Sequence, residues 1–397
     1  MDRDTREHTE IHSAHTADAQ AKDNAGNAGS AAHRKRRTPL EKAIHLLLSL
    51  AFFAAILFAG VLEILTLTEY RPAERESVSI EQGGAMPVEE GDTLKVLTWN
   101  CGYGALGDNA DFFMDGGKSV YTADKERVME NLSGIAKELA DQEADVIFLQ
   151  EVDRDSARSR GVEETISLSN MLLQEYDLWY SSAFAYNFNV RFVPFPLPPI
   201  GRVRSGLMTF TGARPREAER VQLPNPFRWP VRLANFKRCL LVERIPIAKS
   251  DRELVLVNLH LEAYDDGEGK EAQTKMLRQI LAEEARDGTY VIAGGDFNQT
   301  FDNADMSAYP ALAGTLQPGH LDTAAFGPDW QCLTDSTVPT CRSLDRPYKG
   351  AGGDAFQYYV IDGFIVSSNI DVKSVTTRDL GFVCTDHNPV LMECVLK

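Results

Sequence analysis

Residues 290–298 read Tyr-Val-Ile-Ala-Gly-Gly-Asp-Phe-Asn, a short β-branched run that meets a glycine pair and sets two polar side chains, Asp296 and Asn298, directly after it. A run of this length bounded by turn residues predicts a buried strand. Runs of the same kind recur on both sides: LKVLTWN (94–100), DVIFLQE (145–151), SGLMTFT (205–211), CLLVERI (239–245), ELVLVNLHL (253–261), YYVIDGFIV (358–366) and NPVLMECV (388–395). Helical periodicity lies between some of them. Val128, Leu132, Ile135 and Leu139 share one face of a helix predicted over 122–142. Met276, Leu277, Ile280 and Leu281 do so over 270–286, and a third helix is predicted over 163–175. Strands outnumber helices, and their alternation is too irregular for a doubly wound parallel sheet. The pattern predicts an α/β sandwich of two sheets packed face to face with helices outside.

Many of these runs carry a polar side chain that packing does not require. They supply Asn100, Glu151, Asn258, His260, Asp296, Asn298 and Asp362, and Asp386 and His387 stand just before the last strand. Turn chemistry accounts for any one of them, because strand-end Asp and Asn commonly make turns. It does not account for the ordered set. That set, carried by TWN (98–100), LQE (149–151), NLH (258–260), GDFN (295–298) and TDHNP (385–389), resembles the endonuclease/exonuclease/phosphatase superfamily, or DNase I-like fold, over about residues 94–397. The resemblance implies a four-layer α/β sandwich, two mixed β-sheets flanked by helices. It also implies hydrolysis of phosphoester bonds with a divalent metal, Mg²⁺ with Mn²⁺ as a substitute.

The residue types suit that chemistry. A phosphodiester is an anion that repels a nucleophile, and a hard cation held by carboxylate and amide oxygens offsets that charge. On the resemblance, Glu151, Asn100 and Asp386 hold the metal. His387 has the proton affinity to deprotonate water, and Asp362 matches the carboxylate that orients it. Asp296 is the second candidate for aligning or deprotonating the water, and the resemblance leaves its share against that of His387 open. Asn298 and His260 would donate hydrogen bonds to the phosphoryl oxygens as charge builds. Nuclease, phospholipid or sphingolipid phosphodiesterase, and an inactive surface-binding domain of the same fold are the three readings carried forward. Completeness of the set favours an enzyme.

The rest of the 397-residue chain sets the location. Residues 43–62 (AIHLLLSLAFFAAILFAGVL) form a 20-residue apolar run, long enough as a helix to cross about 30 Å of hydrocarbon. A secretory signal would have a shorter core, about 7–15 residues, and a small-residue cleavage site. The cluster Arg34-Lys35-Arg36-Arg37 precedes the run, and Glu63 and Glu69 follow it. The positive-inside rule then predicts a single-pass protein with a cytoplasmic N-terminus and an extracytoplasmic catalytic domain. The expected organisation is a disordered tail with the basic cluster (1–42), an anchor (43–68), a polar linker (69–92) and the catalytic domain (93–397). Five His (8, 12, 15, 33 and 45) lie in or near the tail without the regular spacing of a metal site.

Charge is uneven. Residues 1–75 hold 10 acidic and 10 basic side chains, leaving 48 of the 58 acidic and 31 of the 41 basic to the remainder, which therefore carries the whole net charge of −17. An acidic domain is not an obvious sequence-independent DNA binder. Residues 184–238 reverse the trend with ten Arg/Lys, two acidic residues, nine aromatics and eight prolines. Part of this segment is expected as long loops, with Arg228 and Arg232 contacting a nucleic acid or a lipid head group. The other reading is core aromatics beneath a solvated charged face. No protein partner is expected. The six cysteines all follow the anchor, and Cys332 and Cys341 bracket a turn-rich stretch suited to a disulfide in an oxidising compartment. Cys101, Cys239, Cys384 and Cys394 allow three pairings, and six free thiols are the alternative.

Overall fold

The structure, a computed structural model, describes residues 38–265, 267–349, 351 and 356–397. The tail with its basic cluster and the histidines at 8, 12, 15 and 33 lies outside the described residues. The chain divides into two units, Met1–Ala59 and Gly60–Lys397. The first contributes most of helix α1 (Pro39–Leu67), which is long and apolar enough to cross a bilayer. Its start is fixed by reciprocal bonds between Thr38 and Glu41, with Pro39 at the first helical position.

The second unit opens on two short strands, Arg75–Val78 (β1) and Ile80–Glu81 (β2). It continues through Thr93–Asn100 (β3), Lys125–Gln142 (α2), Val146–Asp153 (β4) and Glu164–Tyr176 (α3). Ser181–Val193 (β5), Gly201–Thr211 (β6), Glu217–Gln222 (β7), Cys239–Pro246 (β8) and Glu253–His260 (β9) follow. Next come Glu268–Glu284 (α4), Tyr290–Asp296 (β10), Gln299–Phe301 (β11), Gly319–Leu321 (β12) and Trp330–Leu333 (β13). The last strands are Cys341–Arg342 (β14), Tyr358–Tyr359 (β15), Asp362–Ser367 (β16), Ile370–Thr377 (β17) and Val390–Leu396 (β18).

Two seven-stranded mixed sheets result, ordered β1-β7-β8-β9-β10-β16-β13 and β17-β18-β3-β4-β6-β5-β2. Val96, Phe148 and Met392 of the second sheet meet Leu256, Ile292 and Phe364 of the first in the inter-sheet core. Gly294 is required there, because a Cβ would come within 2.6 Å of Phe364 and 3.0 Å of Phe148. The outer face of the second sheet packs under α2 and α3 through Leu132, Ile135, Leu139, Leu168 and Leu172. That of the first packs under α4 through Leu277, Ile280 and Leu281. This is the four-layer sandwich, and coverage on both faces explains why the central strands read as continuous apolar runs.

One expectation is corrected. Residues 75–81 are not part of a linker: β1 pairs with β7 and β2 with β5 at opposite sheet edges. They read as a stalk because edge strands carry charge, here Arg75 bonded to Glu219 at 2.6 Å. Within residues 184–238, β5 and β6 form a long hairpin, and the loops expected for part of the segment are the turn 194–200 and the connection from β7 to β8.

Asn258 proves structural. Its amide donates to the Leu149 and Met208 carbonyls and accepts from Gln150, tying β9 to the opposite sheet. Glu243 on β8 has no such ties. It is buried, and neither carboxylate oxygen has a partner among the described residues. Burial alone pushes its pKa from 4.5 to about 8. A raised carboxyl pKa means the folded state holds the proton longer than the unfolded one, so stability falls as pH rises from 4.5 to about 8, by up to about 1.4 kcal/mol per pH unit. Glu243→Leu should therefore exceed the parent in urea-denaturation stability at pH 8 by a margin that shrinks toward pH 5. An equal margin at both pH values would refute this.

Candidate active site

The site forms where the ends of the central strands of both sheets meet. In the first sheet Asp296 is in register with His260 on one side and with Asp362 on the other. In the second, Asn100 closes β3, and Glu151 stands at a bulge in β4. Glu151 has φ +53°, a left-handed conformation that costs a non-glycine residue on the order of 1–3 kcal/mol. His387 precedes β18, and its carbonyl accepts a 2.9 Å bond from the buried Trp99 indole. Five of the eight sequence-selected catalytic and metal residues (Asn100, Glu151, His260, Asp296 and Asp362) come from five different strands, so only the fold brings them together.

Asp296 is the hub. Its Oδ2 accepts from Asn100 Nδ2 at 3.0 Å and lies 3.4 Å from His260 Nε2 and 3.8 Å from His387 Nε2. Its Oδ1 accepts from the Asn298 backbone N–H at 2.8 Å. Asn298 itself has φ +51°, and its amide donates to the Leu261 carbonyl. The far nitrogen of His387, Nδ1, is 2.9 Å from Asp362 Oδ2. Ligand-type atoms of Asp296, Asp362 and His387 fall within 4.8 Å of one another, as do those of Cys341, Asp386 and His387.

Electrostatics separates the two histidines. His260 is driven well below the usual imidazole range by burial, with Arg238 and His387 adding to it, so it is neutral. Burial also opposes the charge on His387, yet Cys341 and Asp362 beside it raise its pKa well above that range. Burial pushes the Cys341 thiol up to about 12, so the Asp362 carboxylate is the charge responsible. Asp296 is pushed up to about 7 by burial and by Asp362.

Asn100 Nδ2 also reaches Glu151 Oε1 at 3.3 Å. Asp386 lies close by: Thr385 Oγ1 donates to its carboxylate and to the Asn100 carbonyl. Glu151 is raised above its ordinary value by burial and by Asp386, with Arg158 opposing. The carboxylates of Glu151 and the buried Asp386 are hard oxygen donors that suit a divalent cation, while Asn100 turns its Nδ2 toward Glu151 and gives its Oδ1 to the Gly102 N–H. The carboxylates present fit a divalent cation.

Several participants were not legible in the sequence. Asp115 and Tyr264 bond at 3.1 Å, and Asp115 is pushed up to about 6 by burial, with Asp386 next in effect. Arg238 is buried over Phe236 at 3.8 Å and 3.6 Å from Glu262. Arg158 holds Asp153 in a two-pronged pair, at 2.9 and 3.1 Å, and lies over Tyr103. Asp115, Tyr264, Arg238 and Arg158 lie outside the strands and α-helices, where no periodicity marks them, although Tyr264 follows the NLH motif by four residues. Asp153 and Arg158 are both buried, so Asp153→Ala should destabilise the domain by about 3–5 kcal/mol, the cost of stranding a buried charge. Urea denaturation with a loss under about 1 kcal/mol, typical of an exposed pair, would contradict the assignment.

Three expectations fail to converge on this site. Arg232 Nε lies 3.1 Å from Glu69, so its charge is taken up by the chain leaving α1. Arg228 is exposed on the same loop and bonds to no catalytic residue among the described residues. The Cys332–Cys341 bridge is not formed. All six cysteines are free, with Cys332 on β13 against the Thr323 carbonyl and Cys341 bridged through its backbone to His387.

The sequence model described as the Endonuclease/Exonuclease/phosphatase family matches residues 97–347. That span contains Asn100, Glu151, His260, Asp296 and Asn298 and ends before Asp362, Asp386 and His387, which the fold brings to the same place. The chain is similar in fold to the endonuclease/exonuclease/phosphatase from Beutenbergia cavernae DSM 12333, with TM-score 0.53 and 16% identity over 77% of this chain and 72% of that one. It is likewise similar to an endonuclease/exonuclease/phosphatase family protein from Leptotrichia buccalis C-1013-b, with TM-score 0.50 and 15% identity over 76% of this chain and 99% of that one. No curated protein sequence matches it.

Proposed function

The chain belongs to the endonuclease/exonuclease/phosphatase family, and on that basis we propose that it is a Mg²⁺-dependent phosphoesterase, anchored in a membrane by α1, that hydrolyses phosphodiester or phosphomonoester bonds by in-line attack of water. One observation carries the reading: the His387–Asp362 pair faces Asp296 in the same cluster that holds Glu151, Asn100 and Asp386.

Glu151, Asn100 and Asp386 would hold the cation, which supplies charge neutralisation and polarisation of the phosphoryl group when bound. In its neutral form, which its raised pKa confines to higher pH, His387 accepts the proton of the attacking water, and Asp362 fixes its tautomer and stabilises the imidazolium. Asp296 aligns that water, held in place by Asn100 and the Asn298 N–H. Neutral His260 donates to the phosphoryl oxygens as their charge grows. Every group needed is present, which favours an enzyme over an inactive binding domain.

The experiment is an assay of the full chain, reconstituted with lipid, on single-stranded DNA, duplex DNA, RNA, sphingomyelin and phosphoinositides, with Mg²⁺ and then with chelator. Mg²⁺-dependent cleavage of one class supports the reading, and cleavage undiminished by chelator would reject it. For topology, the basic cluster before the apolar run favours an extracytoplasmic catalytic domain. A reporter active only outside the cytoplasm, fused after Lys397, should work, and one active only inside should fail; the reverse pattern would overturn the orientation.

A further inference from the structure

Exposed large apolar side chains gather on two loops at one end of the domain. The turn joining β5 to β6 (194–200, Pro-Phe-Pro-Leu-Pro-Pro-Ile) exposes Phe195 (64%) and Leu197 (81%), with Phe192 just before it. The loop between β7 and β8 exposes Trp229 and Val231. A single exposed apolar residue is unremarkable, but a cluster at the tip of a hairpin marks an interaction surface.

These loops share one small core. Val190, Val193 and Val203 of the hairpin pack with Leu233, and Val61, Leu62 and Leu65 of α1 pack against the same cluster. Polar bonds reinforce the joint. The Trp229 indole donates to Thr66 Oγ1 at 3.2 Å, and Glu69 lies 3.1 Å from Arg232 and 3.2 Å from Lys237. The last turns of the apolar helix therefore end inside this patch. Arg191 and Arg228 stand exposed around it, and Arg202, also exposed, is paired with Asp155.

The same end of the domain bears the site. β4 carries Glu151 toward the hairpin turn, since Asp153 pairs with Ser205 and Arg154 N–H reaches Arg204. Phe236, part of the patch core, has its ring 6.4 Å from that of His260.

We propose that this apolar lip, formed by Phe192, Phe195, Leu197, Trp229 and Val231, inserts into the outer part of a phospholipid bilayer, with the surrounding arginines on the head groups, so that the mouth of the catalytic site rests on the membrane surface. The occupant is a bilayer because the patch is continuous with residues 60–67, which directly extend the membrane-length apolar run. Amphipathic aromatics and basic side chains are the residue types that favour the interface between water and hydrocarbon. The inference concerns a surface and stands whether or not the chain is catalytic.

The test is fluorescence quenching of the full chain in phosphatidylcholine/phosphatidylglycerol vesicles whose lipids are brominated near the top of the acyl chain. One variant carries Leu197→Trp with Trp179→Phe and Trp229→Phe. The comparison variant carries Trp229→Phe alone and keeps Trp179, which is also exposed (63%) but lies before the other end of β5, roughly 40 Å of strand away. A chain with Trp179→Phe and Trp229→Phe gives the background of Trp99 and Trp330. Position 197 is 81% exposed, so the substitution does not disturb packing. The emission lost at 197 should be severalfold larger than that lost at 179. Equal losses at the two positions, or none at 197, would overturn the proposal. A lipid-independent dimer that shields position 197 from an aqueous quencher would also overturn it and would assign the lip to a second copy.

Discussion

His387→Ala lowers kcat by about 10²–10⁴, the usual worth of a positioned proton acceptor, with little change in KM. The expectation rests on geometry, because Nδ1 is committed to Asp362 at 2.9 Å and leaves Nε2 as the nitrogen that faces Asp296. Asp362→Asn should show the same loss in weaker form, since the imidazole remains but its tautomer is no longer fixed. Asp296→Asn separates the two roles left open by the motifs. If His387 takes the proton, the Asn variant retains the pH dependence of the parent at a lower rate, whereas a profile that loses its ionisation would move the base to Asp296. Steady-state kinetics across pH on whichever substrate class is cleaved reads all three variants. Circular dichroism controls for the fold, because removing a buried imidazole leaves a cavity beside Trp99. A His387→Ala chain with parental kcat would end the mechanism.

The second large effect is on the metal. Chelation should abolish activity and Mg²⁺ restore it. Glu151→Gln should raise the Mg²⁺ needed for half activity by more than about 10–100-fold, the range typical of changes one shell further out. Thermal unfolding gives a readout free of turnover. Mg²⁺ should raise the Tm of the parent by mass action and leave that of the Gln variant almost unchanged. Without metal the order should reverse. Glu151 is raised by burial and by Asp386, so exchanging it for a neutral amide relieves the metal-free protein. Equal Tm responses to Mg²⁺ in the two proteins would remove Glu151 from the metal site.

What was legible in the sequence follows from where the free energy of folding is concentrated. Strands such as β9 and β10 are buried on both faces, so composition alone betrays them. The strands β1 and β2 are not legible, because an edge strand borrows its stability from the neighbour it pairs with and keeps polar side chains. β5 escaped because prolines and arginines cluster around it, although its own residues alternate between packing and solvent. The candidate site residues were legible as motifs, since Asp296, His260 and Asp362 each stand at a strand end and line up across the sheet. Arg158, Arg238, Asp115 and Tyr264 were not, because a loop residue carries no periodicity that points to its partner. The disulfide expectation failed for a related reason. Sequence proximity does not bring thiols together when Cys332 belongs to a sheet edge and Cys341 to the wall of the site.

The left-handed backbone at Glu151 sets a limit on how this protein can be improved. Glycine would occupy φ +53° without strain, and an amide there would relieve the repulsion with Asp386. Both changes move toward heat tolerance and away from chemistry. A laboratory selection for thermostability alone, with no screen for turnover, should therefore collect substitutions at position 151 early. Stabilised variants that stay active would have to draw their gains from elsewhere, for example from position 243 in the inter-sheet core, where a carboxylate is held without a partner among the described residues and has no part in the reaction.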